Sequence, residues 1–412
     1  MSTYNTKSRK ELIALCKERG MKGYSTKRKE DLVTLLNGES LQNEIIEPIA
    51  SEPTLQLPAP KSSVKRLNYI GSKYQLLEWI TDIMKEKTGW DTFAEKTVAD
   101  LFAGTGIVSH HFRTLGSTVI SNDAELYSSI IARAFTCSTY TSRCAEVIAT
   151  LNQELADKKY ESSPLGFITR VYSPTGACTR MFFTQENAKR IDYLRNRLDE
   201  LQRDNLTHEE HSFLVASLLM SADAVSNVPA VYGCYLKNFK AKALKELTLA
   251  PVHQYTTPAS SQSCTTQSDV LADALLQSVD ADIVYLDPPY NERQYSKNYF
   301  PLNMIAMSPS LPEPELHGKT GIPEGCFVSP FCKRGASVEN AFEKIVKNLR
   351  YKWMFISYNS ESLIGRERMI EILGKYGDVS VVERDYKRFK SFQYNENLAI
   401  KEYMFCLKRN NA

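Results

Sequence analysis

Thr97-Val98-Ala99-Asp100-Leu101-Phe102-Ala103-Gly104-Thr105-Gly106 reads as an apolar strand that runs straight into a glycine-rich turn. Gly104 and Gly106 carry no Cβ, so a ligand can approach the backbone closely there. A helical stretch follows, which is the strand–turn–helix context in which such a loop cradles a cofactor. The full Gly-x-Gly-x-x-Gly is absent, because Ser109 stands at the third position. Outward from this segment, Val119-Ile120-Ser121 is a second strand with Asn122-Asp123 at its end. Asp123 lies 17 residues beyond Gly106, near the spacing at which an acid accepts the ribose hydroxyls of a nucleoside cofactor. Ile283–Leu286 and Trp353–Ile356 are further strands, with late ones at Val379–Val382 and Tyr403–Leu407. Helical stretches separate them, which predicts an α/β protein with a doubly wound, mostly parallel sheet.

In such Rossmann-like sheets ligands gather beyond the carboxyl ends of the strands, so Phe102, Ser121 and Leu286 face one crevice. The strand ending at Leu286 runs into Asp287-Pro288-Pro289-Tyr290. Two prolines cannot donate to a sheet ladder and each fixes its own φ, so the strand stops here. The carbonyls around them and the Asp287 carboxylate are acceptors, and Tyr290 adds a flat ring. An acceptor pair beside a stacking face suits an amino group on a planar heterocycle. Alone, this tetrapeptide is more often an ordinary turn. Beside a nucleoside site it points to group transfer to a base.

Bulk properties set the outer bounds. The 412 residues, 42% hydrophobic and 24% charged, hold ample material for a core. No apolar run approaches the ~20 residues that cross a bilayer, and the N-terminus lacks the apolar core of a signal peptide. Nine scattered cysteines form no C-x-x-C pair, so neither a zinc ribbon nor a disulfide framework is expected. A soluble, cytoplasmic protein without a metal is the expectation.

Charge is placed unevenly. Through residue 40 there are nine Lys/Arg and five Asp/Glu, a net of +4, whereas the whole chain is +3 and the remainder is therefore −1. That excess suggests a polyanionic partner. Residues 7–37 read as two short helices with apolar faces at Leu12, Ile13 and Cys16 and at Leu32, Leu35 and Leu36. Lys22, Lys27, Arg28 and Lys29 surround the turn between them. This piece is similar to a SAP motif, a helix–loop–helix module that binds DNA; a charged hairpin docked on the rest of the chain is the alternative. Residues 41–64, interrupted by Pro48, Pro53, Pro58 and Pro60, read as an extended linker. Residues 65–139 and 256–412 carry the strand–helix alternation. Residues 140–255 interrupt it with helical patterns at about 185–202 and 207–224 and then a basic, aromatic stretch.

From about residue 66 onward the chain resembles a class-alpha (Dam-like) adenine-specific DNA methyltransferase. Tyr69-Ile70-Gly71-Ser72-Lys73 resembles the family's first methionine-binding segment, and Asp100 to Gly106 its cofactor loop, with Phe102 inside it. Asp123 matches the acid that holds the ribose, and Asp269, in Gln267-Ser268-Asp269, the acid that contacts the cofactor's adenine. Asp287 to Tyr290 resembles the catalytic turn, and Asn227-Val228-Pro229-Ala230-Val231-Tyr232-Gly233 a segment of the target-recognition region. The order of these elements is that of the alpha class. The resemblance implies S-adenosyl-L-methionine as methyl donor and duplex DNA as partner. It also implies a restriction–modification or viral setting, with a cognate restriction endonuclease as candidate companion.

It further implies that the target adenine is flipped out, that Tyr290 stacks on it, and that Asp287 and the Pro288 carbonyl accept hydrogen bonds from its amino group. No metal or covalent nucleophile is needed. Lys237 and Lys240, within Leu236–Lys242, and Arg388, within Tyr386–Lys390, interleave with aromatics as a phosphate-tracking surface would, although solvated basic faces would look the same. Tyr295 and Tyr299 fit either the flipped-base pocket or the core. His208-Glu209-Glu210-His211 and His110-His111 read as helix surface, and Gly318-Lys319-Thr320 lacks the earlier glycine of a phosphate loop. Methylation of a cytosine amine or of RNA, and a silent DNA-binding protein on this fold, remain the alternatives.

Overall fold

Strand after strand here is followed by a helix that packs back on the sheet, and the order of the elements follows from that. The computed structural model describes residues 4, 7–18, 28, 29, 32, 33, 36, 67, 69–386 and 400–410. The chain divides into two units, Met1–Lys61 and Ser62–Ala412. In the first, α1 (Arg9–Glu18) opens with a reciprocal cap. The Ser8 N–H donates to Glu11 Oε2 at 2.7 Å and the Glu11 N–H to Ser8 Oγ at 3.4 Å. Leu12 and Cys16 of α1 are fully buried together with Leu32 and Leu36. Arg28 and Lys29 are exposed. Lys22 and Lys27, like residues 41–64 and Arg388, lie outside the described residues.

In the second unit α2 (Leu77–Thr88) precedes β1 (Thr97–Asp100), α3 (Ile107–Thr114), β2 (Thr118–Asp123) and α4 (Leu126–Thr136). Four helices follow: α5 (Ser142–Ala156), α6 (Phe167–Tyr172), α7 (Gln185–Arg203) and α8 (His208–Ala224). The alternation resumes with β3 (Cys264–Gln267), α9 (Asp273–Ser278), β4 (Asp280–Leu286) and α10 (Tyr295–Ala306). A small antiparallel pair, β5 (Leu316–His317) and β6 (Ile322–Pro323), leads to α11 (Ala336–Asn348), β7 (Arg350–Asn359) and α12 (Arg366–Gly374). The last strands are β8 (Gly377–Tyr386) and β9 (Ile400–Arg409).

The sheet order is β3-β2-β1-β4-β7-β9-β8. Every pair up to β7 is parallel, while β9 runs antiparallel to both β7 and β8. Chain order runs outward from β1 to β2 and β3, then crosses to β4 on the other side. The point between β1 and β4 is therefore the topological switch, where a crevice opens above the strand ends. Reversal of β9 has a second effect. Its first residues, not its last, lie at that crevice edge, with Glu402 opposite Asn359.

Alternation sorts the strands' side chains to two faces. Val98, Ile283, Phe355 and Met404 pack with α2 and α3, whereas Ala99, Val284, Met354 and Phe405 pack with α9, α11 and α12. Because both faces are covered, β4 is a near-continuous apolar run rather than an alternating one. A third cluster joins α5–α8 to α4 and α10, with Leu151, Leu194, Phe213 and Leu218 against Ile131, Phe135, Tyr299 and Leu302. The helical patterns at 185–202 and 207–224 correspond to α7 and α8. The second of these starts with a capping box between Thr207 and Glu210, which accounts for part of the His-Glu-Glu-His run. Among the described residues no helix is long and apolar enough to cross a membrane.

Candidate active site

The glycine turn after β1 is held by side chains as well as backbone. Gly104 and Gly106 have φ of +53° and +69°, in the left-handed region. A Cβ on Gly104 would come within 3.0 Å of the Tyr69 ring, and one on Gly106 within 2.9 Å of Ala132 Cα. Asp123, at the end of β2, accepts from the Gly104 N–H at 2.8 Å through Oδ2 and from the Glu125 N–H at 2.9 Å through Oδ1. Asn122 bridges the neighbouring strand ends, its Nδ2 donating to the Leu101 and Ser268 carbonyls. Asp269 follows at the end of β3 and accepts from the Leu271 N–H at 3.0 Å. Phe102 packs edge-on against Phe331. Asp100, the last residue of β1, is buried. Its Oδ2 accepts from Ser109 N–H and Oγ at 3.1 and 2.7 Å, and its Oδ1 has no partner among the described residues.

The turn after β4 sits on the other side of the switch point. Lys73, buried, pairs with Asp287 at 2.8 Å and lies 3.9 Å from Glu402. Its Nζ also donates to the Gly71 carbonyl and stands 4.8 Å from the centre of the Tyr290 ring. The Tyr290 hydroxyl donates to Glu402 Oε1 at 2.8 Å, and Tyr358 meets the ring edge-on. The segment around Tyr69 is pinned by α10. Tyr295 Oη donates to the Ile70 carbonyl, and Tyr299 Oη accepts from the Ile70 N–H at 2.9 Å while its ring stacks on Tyr69. Tyr299 is fully buried, so core packing decides its role. Further along α10, Asn303 donates to Glu125 Oε2 and accepts from the Tyr127 N–H. One helix thus clamps the first segment to the end of β2.

Burial dominates the electrostatics. It raises Asp100 to about 7, with Asp287 and Asp123 adding to the rise against the Ser109 hydrogen bonds. It raises Asp123 to about 6 and Glu125 to about 7. Burial also raises Glu402 to about 7, against the pull of Lys73, and lifts Asp287 above its ordinary range. Five carboxyls crowded into one crevice favour a ligand that brings positive charge. Ser109, read only as the residue that breaks the glycine motif, holds Asp100 instead. Glu125, Asn303 and Glu402 stand in no motif, and Asn303 and Glu402 reach the crevice only through the pairing of distant elements.

Some expected contacts take other roles. Asn227 is fully buried: its N–H donates to the Phe182 carbonyl, its Nδ2 to those of Met181 and Leu236, and its Oδ1 accepts from the Lys240 N–H. Tyr232 is equally buried, its hydroxyl bonded to Asp223 at 2.9 Å. Both are buried inside the 227–242 loop rather than on its surface, because satisfying the loop's backbone requires polar side chains within it. The Lys240 ammonium bonds the Val228 carbonyl, while Lys237 is exposed. His110 is not helix surface either. It is buried against Phe135 and Tyr255, and desolvation lowers it to about 3. His111 contacts Thr81 Oγ1 at 2.7 Å.

The crevice gathers the glycine turn after β1, the acids at the ends of β1 and β2 and the Asp-Pro-Pro-Tyr turn after β4. Residues 69–360 match the D12 class N6 adenine-specific DNA methyltransferase family, and the chain belongs to it. It is similar to the Type II methyltransferase M.CviAII of Paramecium bursaria Chlorella virus 1, 39% identical over 342 residues that span 83% of this chain and 98% of that one. The Type II methyltransferase M.NlaIII of Neisseria lactamica is 36% identical over 327 residues, 79% of this chain and 93% of that one. The Type II methyltransferase M.FokI of Planomicrobium okeanokoites is 33% identical over 359 residues, 84% of this chain and 53% of its own length. The chain is thus a DNA methyltransferase specific for the N6 amino group of adenine, and the cytosine, RNA and silent-fold readings give way.

Proposed function

We propose that this enzyme takes its methyl group from S-adenosyl-L-methionine and delivers it to one adenine, flipped out of duplex DNA at a defined sequence. The carrying observation is the pairing across the switch point. Asp100 Oδ1, without a partner among the described residues, lies at the end of β1, and the Lys73–Asp287 pair lies at the end of β4. A buried carboxylate oxygen without a donor suits the ammonium of an amino-acid ligand, and the space that a Gly104 Cβ would fill suits its close approach. The donor so fits the residues present. When bound it supplies an electrophilic methyl on a positive sulfonium.

The chain's own residues do the rest. Asp123, at the end of β2, accepts the ribose hydroxyls, and Asp269, just beyond the adjoining β3, contacts the adenine. Asp287, anchored by Lys73, and the Pro288 carbonyl accept the two N–H bonds of the target amine, which turns its lone pair out of the ring. Tyr290 stacks on the flipped base, a contact worth about 1–3 kcal/mol that offsets the few kcal/mol of unstacking. Positioning supplies most of the acceleration, because attack must be collinear with the departing sulfur. Asp287 needs no strong basicity, since the amine becomes acidic only after it is methylated.

Outside the crevice, we infer that residues 1–40 form a SAP-like arm that holds DNA through Lys22, Lys27, Arg28 and Lys29, joined by the 41–64 linker. Lys237 and Arg388 contact phosphates nearer the catalytic unit. The relatives' type II names support a restriction–modification setting with a cognate endonuclease. Incubation with labelled donor and mixed-sequence DNA, followed by nucleoside analysis, tests the reading. Label in N6-methyladenine, lost in Asp287→Ala, is expected; label elsewhere, or unchanged labelling by Asp287→Ala, refutes it. Methylation-sensitive sequencing of the product then gives the site.

A further inference from the structure

We infer that Glu402, from the reversed strand β9, is a positioning residue that fixes the Tyr290 ring before the target base arrives. No motif contains it. It enters the crevice only because β9 runs against β7, which brings the start of the last strand to the edge where the parallel strands end. Its side chain is nearly fully buried, and its Oε1 accepts the Tyr290 hydroxyl at 2.8 Å. A buried carboxylate on an antiparallel strand, away from any cap or surface pair, is costly unless a partner holds it. Here the partners are the hydroxyl of one catalytic-turn residue and the ammonium that anchors another.

Those contacts fix the ring's orientation. An aromatic ring has a broad, soft second torsion, and a turn of two prolines gives no ladder hydrogen bond to brace the residue after it. Tyr290 is braced from three directions instead: the Glu402 hydrogen bond at its tip, Lys73 over the ring at 4.8 Å, and Tyr358 edge-on at 5.2 Å. The hydrogen bond ties the tip of the ring to β9. Because Lys73 also bonds Asp287, the ring and the amine acceptor are referred to one buried ammonium. The turn is therefore preorganised as a unit, and a loosened ring would cost the transfer step more than it costs DNA binding.

The inference rests on the reading of Tyr290 as the base platform, and the variants separate the two. Single-turnover methylation is measured on DNA carrying the established site, at a temperature where thermal unfolding shows each variant folded. Glu402→Ala and Tyr290→Phe should each slow transfer by about tenfold, the usual scale for losing a hydrogen bond to a charged group. KM values for DNA and donor should stay within about twofold, since only transition-state alignment is lost. The double variant should be no slower than the slower single, because both remove the same bond. Glu402→Gln, whose amide oxygen still accepts the hydroxyl, should restore most of the rate lost in Glu402→Ala. Multiplying losses in the double variant, or a Glu402→Gln enzyme as slow as Glu402→Ala, overturns the inference. Tyr290→Ala supplies the separation: if it alone is impaired while Tyr290→Phe and Glu402→Ala keep full rate, the positioning role falls and the platform stands. If Tyr290→Ala also keeps full rate, the platform itself falls.

Discussion

Asp100 holds one carboxylate oxygen that nothing else among the described residues satisfies, and burial keeps its proton on until pH reaches about 7. The sign of the consequence follows from linkage. A donor whose ammonium sits on Asp100 favours the ionised carboxylate, so the bound form has the lower pKa and binding strengthens as pH rises through about 7. Asp123, raised to about 6 and assigned to the ribose, acts in the same direction. Between pH 6 and 7.5, where an α-ammonium stays largely charged, the dissociation constant for S-adenosylmethionine should fall severalfold by calorimetry. Asp100→Asn should bind more weakly at pH 7.5 and show a flatter profile. A donor affinity that is flat or weakens over that interval would falsify the assignment of Asp100 to the ammonium.

At the scale of elements, two turns depend on residues that cannot be exchanged. Gly106 starts α3 with φ of +69°, and any Cβ there meets the backbone of α4 at Ala132. Left-handed strain alone costs about 1–2 kcal/mol, and the clash must push α3 and α4 apart. Gly106→Ala should therefore lower Tm by several degrees and weaken donor binding more than DNA binding. Asn227 is the second case. Five hydrogen bonds through its backbone and side chain close the 227–242 loop, three of them from the side chain. Asn227→Ala leaves buried carbonyls unpaired, a loss of about 2–3 kcal/mol, measurable by urea unfolding. If Asn227 touched DNA bases instead, the same variant would keep its stability and change its target site. Helix α10 shows why a kink can be useful. Pro301 removes one helical hydrogen bond and Tyr299 leaves helical angles (φ −131°), which lets Tyr295, Tyr299 and Asn303 reach separate partners in the crevice.

At the scale of the molecule, Leu12, Cys16, Leu32 and Leu36 form a core within residues 1–61, and the described residues of the second unit hold three cores of their own. Removal of residues 1–61 should thus leave the thermal transition of the remaining chain essentially unchanged. DNA affinity should fall, and the slope of log K against log salt should lessen in proportion to the phosphates that the arm had neutralised. An unchanged slope would remove the N-terminal piece from the interface.

How far the sequence carried these conclusions differs from residue to residue. The strand after which Gly104 and Gly106 turn, the acid at the end of β2 and the Asp-Pro-Pro-Tyr turn were legible because each is local. A proline ends a strand and a glycine accepts positive φ wherever they stand. The two long helices at 185–203 and 208–224 were legible as helical patterns at about 185–202 and 207–224. The burial of Asn227, Tyr232 and His110 was not legible, since a polar residue in a loop or helix looks the same whether it faces solvent or satisfies buried backbone. Glu402 was not legible at all. Sequence by itself determined the main strands and helices, their order and the residue types at three strand ends. Only the tertiary structure decided the direction of the last strand and the pairing of Lys73 with Asp287 and Glu402. Those pairings join segments more than 200 residues apart, which no local pattern encodes.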